Sequence, residues 1–403
     1  MSQRRTLVVL VGIAVCLLGV AAPDMRQLIR DARPRTSSNV QQPVNAAEAA
    51  REAPGVVRPL TKPCLRLSAA DIGWLERQIQ PGPLQKMSPS YVLHVLRAHG
   101  LNADFPKPSM LSTSAELLGI VTDDRREAQV FGKSSAVLVT NGARYIARTP
   151  VATERWREQH RDQHLAAFAE LGLPLSTPLS FDGKTVPLRE VLRDSIANFH
   201  LKQREIEWTA LAYTLLLPPT TQWFNRFGER YTFDSLSDEL LARDFRSSSC
   251  AGTHLLYGLT FIARADEEVP LLSKAVRHRV RERIDRAARL AVERQRPDGA
   301  WDGEWFVGPE LGQKYWPPSL PPTLEQRVIV TGHVAEWMLY LPAEFQVDRG
   351  PLQRASWWLF GELKRLGSEG QAQQFCACTH AVCVLRRLAL PIGSSNLGLN
   401  ASR

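Results

Sequence analysis

The sequence predicts a mainly α-helical domain in which inner and outer helices alternate around a central cavity, with a small β-hairpin insertion. Three observations predict it. Beyond Pro187, helices with one polar face alternate with helices that are apolar almost all round. A helix apolar on every side must be buried, whereas one with a polar face can cover it. Finally, the spacing of these pairs is irregular, so the array is looser than a tight consensus solenoid.

The chain opens with Arg4 and Arg5 ahead of Thr6–Ala22, an almost entirely apolar run. It is long for the apolar part of a signal peptide and short for a span of ~20 residues. Residues 1–22 therefore read as a signal peptide or an N-terminal membrane anchor. Gly19-Val20-Ala21-Ala22 offers small residues for cleavage, and Val15 before Cys16 makes a poor lipobox. With Arg4 and Arg5 kept inside, the body lies outside the cytoplasm either way, secreted or periplasmic, or held by a single-pass segment. Residues 23–60 are poor in aromatics and rich in Pro, Ala, Arg, Gln and Ser, the composition of a disordered linker. Residues 61–185 form the N-terminal part of the helical domain with its β insertion, 186–392 the helical repeats, and 393–403 a flexible tail. The body is long enough to bury a large core.

In order, helices are expected at Asp71–Gln80 and Ser88–His99, the second with Pro89 suited to its first turn. Ala136–Thr140 and Ala143–Ala147 flank Asn141-Gly142, a type I′ hairpin signal, and Asp182-Gly183 marks a second turn. Leu188–Phe199, Leu236–Phe245, Leu272–Gln295 and Pro351–Leu366 are amphipathic. Glu205–Leu217, Cys250–Ile262, Thr331–Leu341 and Cys376–Leu388 are nearly uniformly apolar.

The net charge of +9 comes largely from arginine. Much of it lies on the amphipathic helix around Arg277–Arg296, interleaved with Glu282, Asp285 and Glu293, where Glu282–Arg286 is a favourable i,i+4 pair. No basic stripe carries regularly spaced aromatics, so no nucleic-acid partner is expected. Apart from Cys16, five cysteines remain (Cys64, Cys250, Cys376, Cys378, Cys383), an odd count that does not fit a disulfide framework.

The same amphipathic helix stops at Pro297, and Asp298-Gly299 supplies a turn. Gln295, Gly299 and Trp301 then form Q-x-x-x-G-x-W, in which a last-turn amide can lie on an indole folding back from the next segment. This motif resembles the QW repeat of the terpenoid cyclases and, more loosely, the α/α-toroid superfamily that includes the protein prenyltransferases. The resemblance covers one clean copy of the motif. It implies outer helices alternating with inner ones around a cavity. The acid motif D-x-D-D of the protonating cyclases is missing. Asp123-Asp124-Arg125-Arg126-Glu127 imitates a diphosphate-binding D-D-x-x-E but reads as a charged surface turn.

Three apolar helices are expected to open alike, at Cys250-Ala-Gly-Thr-His254, Val330-Thr-Gly-His333 and Cys376-Ala-Cys-Thr-His380. Small residues there allow close backbone approach, and helix N-termini favour thiolates. If the helices run parallel, the histidines gather at one rim, with Glu336 one turn beyond His333. His254, His333 and Glu336 are the candidate catalytic groups, and Cys250, Cys378 and His380 the candidate metal ligands, with zinc the possible cofactor. Other α/α-toroid groups, the lanthionine cyclases and the protein prenyltransferases, hold zinc with Cys, His and Asp, though the adjacent Cys-His pair of the former is absent here.

A Pro/Gly-rich loop, Asp298–Pro322, carries Trp301, Glu304, Trp305, Glu310, Tyr315 and Trp316. Trp301, Glu304, Trp305 and Tyr315 are the candidate ligand contacts, because aromatic faces and carboxylates together suit a sugar. The function expected is binding of a small molecule, glycan or peptide in the cavity. The alternatives are a zinc-assisted enzyme and a carbohydrate-active enzyme using Glu304, Glu310 or Glu336. The membrane is a partner only through an uncleaved N-terminal segment.

Overall fold

A computed structural model describes residues 46–389 except 61–63, 80–88, 106–112, 132–137, 142–143, 148–161, 307–322 and 346–348, and positions 182, 220, 246–247, 249 and 374. The N-terminal apolar run, most of the expected linker and the expected tail lie outside the described residues. Among the described residues no helix is long and apolar enough to cross a membrane. The residues from Val44 onward form one compact unit.

The molecule is mainly helical, as its pattern predicts. Helices α1 (Ala46–Ala49), α2 (Ala69–Glu76), α3 (Pro89–His99), α4 (Ser114–Val121) and α5 (Asp124–Phe131) precede the hairpin β1–β2 (Leu138–Asn141, Arg144–Ala147). Next come α6 (Gln163–Glu170), the hairpin β3–β4 (Pro178–Phe181, Lys184–Pro187), α7 (Arg189–Ala197) and α8 (Ile206–Leu216). After a short hairpin β5–β6 (Trp223–Phe224, Arg230–Tyr231) follow α9 (Phe233–Ala242), α10 (Thr253–Glu268) and α11 (Lys274–Glu293). The chain ends in α12 (Leu324–Met338), α13 (Arg349–Gln373) and α14 (Phe375–Ala389).

Each hairpin is antiparallel, with Asn141 opposite Arg144 and Phe181 opposite Lys184. The turn of the second uses Gly183 at φ +71°, the left-handed region that glycine occupies without steric cost. The third hairpin, at Trp223, carries no Asn-Gly or Asp-Gly pair and was not anticipated. Helices α4, α5 and α6 were also missed. They are short, and α4 and α5 are separated by little more than Thr122 and Asp123. Asp123-Asp124-Arg125-Arg126-Glu127 is the start of α5 rather than a surface turn: Asp123 Oδ1 accepts from the Arg125 N–H at 2.9 Å, and Glu127 is buried.

Six helices touch in cyclic order among the described residues: α3 meets α6, then α8, α10, α12 and α14 follow, and α14 returns to α3. These are the apolar helices; every residue of α8 is buried. The helices with a polar face lie against them: α2 on α14, α4 on α3, α9 and α11 on α10, α13 on α12 and α14. On α11, Val276, Val280, Ile284, Ala287, Ala288 and Ala291 are buried while Arg279, Arg286 and Arg289 are exposed. Three- and four-residue spacing puts those apolar residues on one stripe, which is why this helix covers rather than lines the interior.

The expected linker is shorter than its composition implies. Ala46 and Ala47 are buried, Leu175 N–H donates to Glu52 O, Gly55 N–H to Leu215 O and Leu60 N–H to Leu339 O. Residues 46–60 therefore form a strap across the body. Ala46, Ala47 and Ala50 pack into the core there, Val57 lies against it, and backbone pairing adds to the few large apolar side chains of the segment.

The Gln295 motif fastens α11 to α13. Gln295 Nε2 donates to Gly299 O at 2.9 Å and to Pro351 O at 2.7 Å, and Arg354 Nη2 donates to Gln295 Oε1 at 2.6 Å. Trp301 Nε1 donates to Ala291 O at 2.6 Å, in the last turn of α11. Gly299 is left-handed at φ +98°, and a Cβ there would lie 2.6 Å from Arg354 O, so only glycine fits this turn.

Candidate metal centre

Two left-handed residues and a glycine precede α10: Cys250 at φ 52°, Ala251 at 56° and Gly252 at 72°. The left-handed region costs a residue with a Cβ roughly 1–2 kcal/mol. Surrounding structure must hold this turn, and its result is that Cys250 lies beside His254 in the first turn of α10. Both converge with His333 of α12, and one ligand atom from each of Cys250, His254 and His333 lies within 4.8 Å of the others. The His254 and His333 ring centres are 4.7 Å apart.

His333 is not in the first turn of its helix, contrary to expectation. α12 begins at Leu324, where Thr323 and Gln326 form a capping box: Gln326 N–H donates to Thr323 Oγ1 at 3.2 Å and Thr323 N–H to Gln326 Oε1 at 2.9 Å. The spacing T-x-x-Q is a start signal that the apolar reading passed over. The small residue before His333 acts as expected. A Cβ on Gly332 would lie 3.1 Å from His380 Cβ and 3.2 Å from Ala381 N, so α12 and α14 approach closely here. That approach leaves the His333 and His380 ring centres 3.6 Å apart.

Glu336 sits between the two rings. Its Oε2 is 2.9 Å from His380 Nδ1 and 3.6 Å from His333 Nδ1. Its other oxygen accepts from Arg97 Nη2 at 3.0 Å and lies 3.8 Å from Arg387 Nη1. Arg97 Nε in turn lies 2.8 Å from Glu170 Oε2, and Tyr257 donates to Glu170 Oε1 at 2.6 Å. Arg97, Glu336, Tyr257, His333 and His380 are buried, and Glu170 and Arg387 are nearly so.

A second set contains a histidine the sequence reading missed. His94 of α3 packs edge-on to His380 with ring centres 5.0 Å apart. His94, Cys376 and His380 each offer a ligand atom within 4.8 Å of the others. The signal was available, since His94 is the sixth residue of α3 as His380 is of α14, inside an equally apolar run. Cys378 is corrected to Cys376. Residues two apart on a helix point about 200° away from each other; Cys378 is fully buried and belongs to none of these groups.

Burial and neighbouring charges set the protonation of these groups. Burial, with His380 alongside, pushes His333 down to about 3, and burial takes His380 to about 4 against the pull of Glu336. Both rings are therefore neutral ligands at neutral pH. Burial alone would raise Glu336, yet Arg97 and then His380 hold it well below the usual carboxylate range. Burial pushes the Cys376 thiol up to about 11 and raises Cys250 too. Around one zinc ion, donors at ~2.0–2.3 Å lie about 3–4 Å from each other, so small side-chain shifts close each set.

The chain was compared with known protein families, curated proteins and solved structures. Nothing matches.

The candidate ligand contacts do not join this site. Trp301 is fully buried with its indole N–H bonded to Ala291, and Trp305 is 3% exposed, stacked on Trp337 at 6.2 Å. Both are packing residues that pin the loop to the ring, because indoles this large bury more usefully than they display. Glu304 is exposed. Tyr315, Trp316 and Glu310 lie outside the described residues. The five cysteines of the body are free thiols.

On the other side of Arg97 lies a cavity of about 70 Å³, lined by Arg97, Glu170, Leu215, Phe261, Tyr340 and Arg387 and crossed by the strap at Gly55–Pro59. These residues come from the C-terminal halves of the cyclic helices or just past their ends. The helices thus point one way, with Cys250, His254, Cys376 and His380 toward the N-terminal ends of α10 and α14 and His333 past the middle of α12. Arg387 Nη1 is buried without a hydrogen-bond partner.

Proposed function

We propose that this chain is an extracytoplasmic metal-binding protein, built as an α/α toroid, that holds zinc among the Cys, His and Glu side chains inside its helical ring. One observation carries the reading: His333, Glu336 and His380 from two helices, flanked on both sides by a thiol and a further histidine, present ligand atoms within 4.8 Å of one another. Interiors do not gather four imidazoles and two thiols without use, because each polar atom costs free energy when desolvated. Three protein donors leave one position for water or substrate, the arrangement of a catalytic rather than a closed structural zinc. The N-terminal segment delivers the body out of the cytoplasm. The test is metal content of the full chain, purified without chelator or polyhistidine tag. Stoichiometric zinc, lost in His333→Ala, is expected; a metal-free chain whose His333→Ala variant folds unchanged sinks the reading.

A second reading, binding of a small molecule, is favoured by the cavity over Arg97 and Arg387. Arg387 Nη1 there suits a small carboxylate or oxyanion. Acetate and inorganic phosphate should raise the melting temperature of the chain but not of an Arg387→Leu variant. Equal shifts in both would remove the cavity from consideration. Of the aromatics behind the carbohydrate reading, Trp301 and Trp305 are buried and offer no open face to a pyranose, while Tyr315 and Trp316 lie outside the described residues.

A further inference from the structure

We propose that the interior holds two metal ions in separate Cys-His-His sites that share Glu336 as their positioning carboxylate. The inference rests on the metal-binding reading above and goes beyond it in number and arrangement.

Among the described residues three groupings of ligand atoms fall within 4.8 Å, and two of them have no residue in common: Cys250, His254 and His333 on one side, His94, Cys376 and His380 on the other. The third, His333, Glu336 and His380, takes one residue from each plus the carboxylate between them. Two sets of three donors with no residue in common make two ordinary three-donor sites. The hydrogen bonds say which nitrogens are left to bind. Glu336 occupies His380 Nδ1 at 2.9 Å, and the Ser90 carbonyl occupies His94 Nδ1 at 2.6 Å. On His380 this leaves Nε2 as the ligand atom. On the other side Glu336 lies 3.6 Å from His333 Nδ1, and His333 Nε2 is buried with no hydrogen-bond partner. A metal-bound histidine characteristically gives its second ring nitrogen to a carboxylate or a backbone carbonyl, which fixes the ring and its tautomer. Glu336 does so for His380 at 2.9 Å, and a small side-chain shift brings the same carboxylate from 3.6 Å to hydrogen-bond length of His333, which ties the two sites together; Arg97 and Arg387 hold that carboxylate in place.

The two sets also come from matched places in the ring. Each has one cysteine at or just before the start of a cyclic helix, Cys250 ahead of α10 and Cys376 in the first turn of α14. Each adds one histidine from that helix and one from a neighbour, α12 in the first case and α3 in the second. As an ion enters either site, the thiol proton leaves to solvent and the thiolate–metal bond forms. Two nitrogens and one sulfur make a donor set for zinc, or for copper where the geometry is trigonal.

The experiment is zinc titration of the full chain after chelator treatment, followed by elemental analysis and by cobalt substitution with a thiolate-to-cobalt charge-transfer readout. The wild type should bind two ions, and Cys250→Ser and Cys376→Ser should each bind one and retain about half the charge-transfer intensity. The double variant should bind none tightly. His94→Gln, on a different helix from Cys376, should also leave one ion and serves if the cysteine variant fails to fold. Glu336→Gln should weaken both sites together, by about 10–100-fold. One ion per wild-type chain overturns the paired arrangement while leaving the metal-binding reading in place, and so does loss of both ions from one cysteine substitution. No ion at all overturns both.

Discussion

Glu336 Oε2 lies 2.9 Å from His380 Nδ1, with the carboxylate and the imidazole each only 3% exposed. A buried carboxylate with no cation partner would be very costly, and Arg97 supplies the cation from the other side at 3.0 Å. The pair therefore links a positive layer below to an imidazole layer above. Four expected outcomes follow from this and neighbouring contacts.

Removing the carboxylate should destabilise the metal-free chain, because Arg97 loses one of its two acidic partners. Glu336→Ala is expected to cost about 3–5 kcal/mol by urea unfolding. The isosteric Glu336→Gln should cost less. Equal stability of Glu336→Ala and wild type would show that the layer is not an ion pair in solution.

Metal affinity should rise with pH. Burial holds the Cys376 thiol up near 11 and Cys250 higher than usual, so binding near neutral pH must release a proton from each thiol that coordinates. The imidazoles add nothing to this slope near neutrality, since His333 and His380 are already neutral. Zinc competition titrations at pH 6.5 and 8 should show tighter binding at pH 8, about tenfold per 1 unit of pH for each thiol. A pH-independent affinity would exclude thiolate ligation.

Acid should destabilise the fold before carboxylates protonate. His99 Nε2 donates to Gln78 O across 3.1 Å, and burial, followed by Arg386, lowers it to about 3. Between ~6.5, its unfolded value, and about 3 the unfolded chain binds the extra proton, so stability rises with pH across that window. The contribution is complete above ~6.5 and is lost as pH falls, reaching about 3 kcal/mol at pH 4.5. Urea unfolding at pH 7 and 4.5 measures it, and His99→Phe should reduce the difference. An unchanged difference in that variant assigns the acid sensitivity elsewhere.

Gly332 sets the approach of α12 to α14. Gly332→Ala puts a methyl 3.1 Å from His380 Cβ and 3.2 Å from Ala381 N, so backbone must move. Overpacking of this kind costs about 1–3 kcal/mol. Because His333 is the next residue, metal affinity should fall as well. A variant that loses stability but keeps full affinity would separate the packing contact from the site.

Much of the fold was legible because periodicity encodes burial directly. The polar-faced α11 and the apolar α8 lie where their patterns place them, outside and inside. The Asn141-Gly142 and Asp182-Gly183 signals mark real hairpins, since turn chemistry is local. Short helices α4, α5 and α6 gave too few turns for a period to show. In the candidate site, the sequence pattern singled out His254, His333, His380, Cys250 and Glu336, on or just ahead of apolar helices, and the structure brings them close together. His94 and Arg97 were missed: their helix lies far away in sequence, and only ring closure from α14 back to α3 brings them to the others. Trp301 and Trp305 were misread because composition cannot say whether an indole is displayed or packed.

By itself the sequence determined which helices face inward, where the two predicted hairpins turn, and which residue types could meet a metal. Only the tertiary structure decided which of them meet. Choosing Cys376 over Cys378 depends on rotation about one helix axis, and pairing His333 with His380 depends on a glycine contact between two helices. Such choices rest on contacts between segments distant in the chain, and local preferences of the backbone carry no record of them.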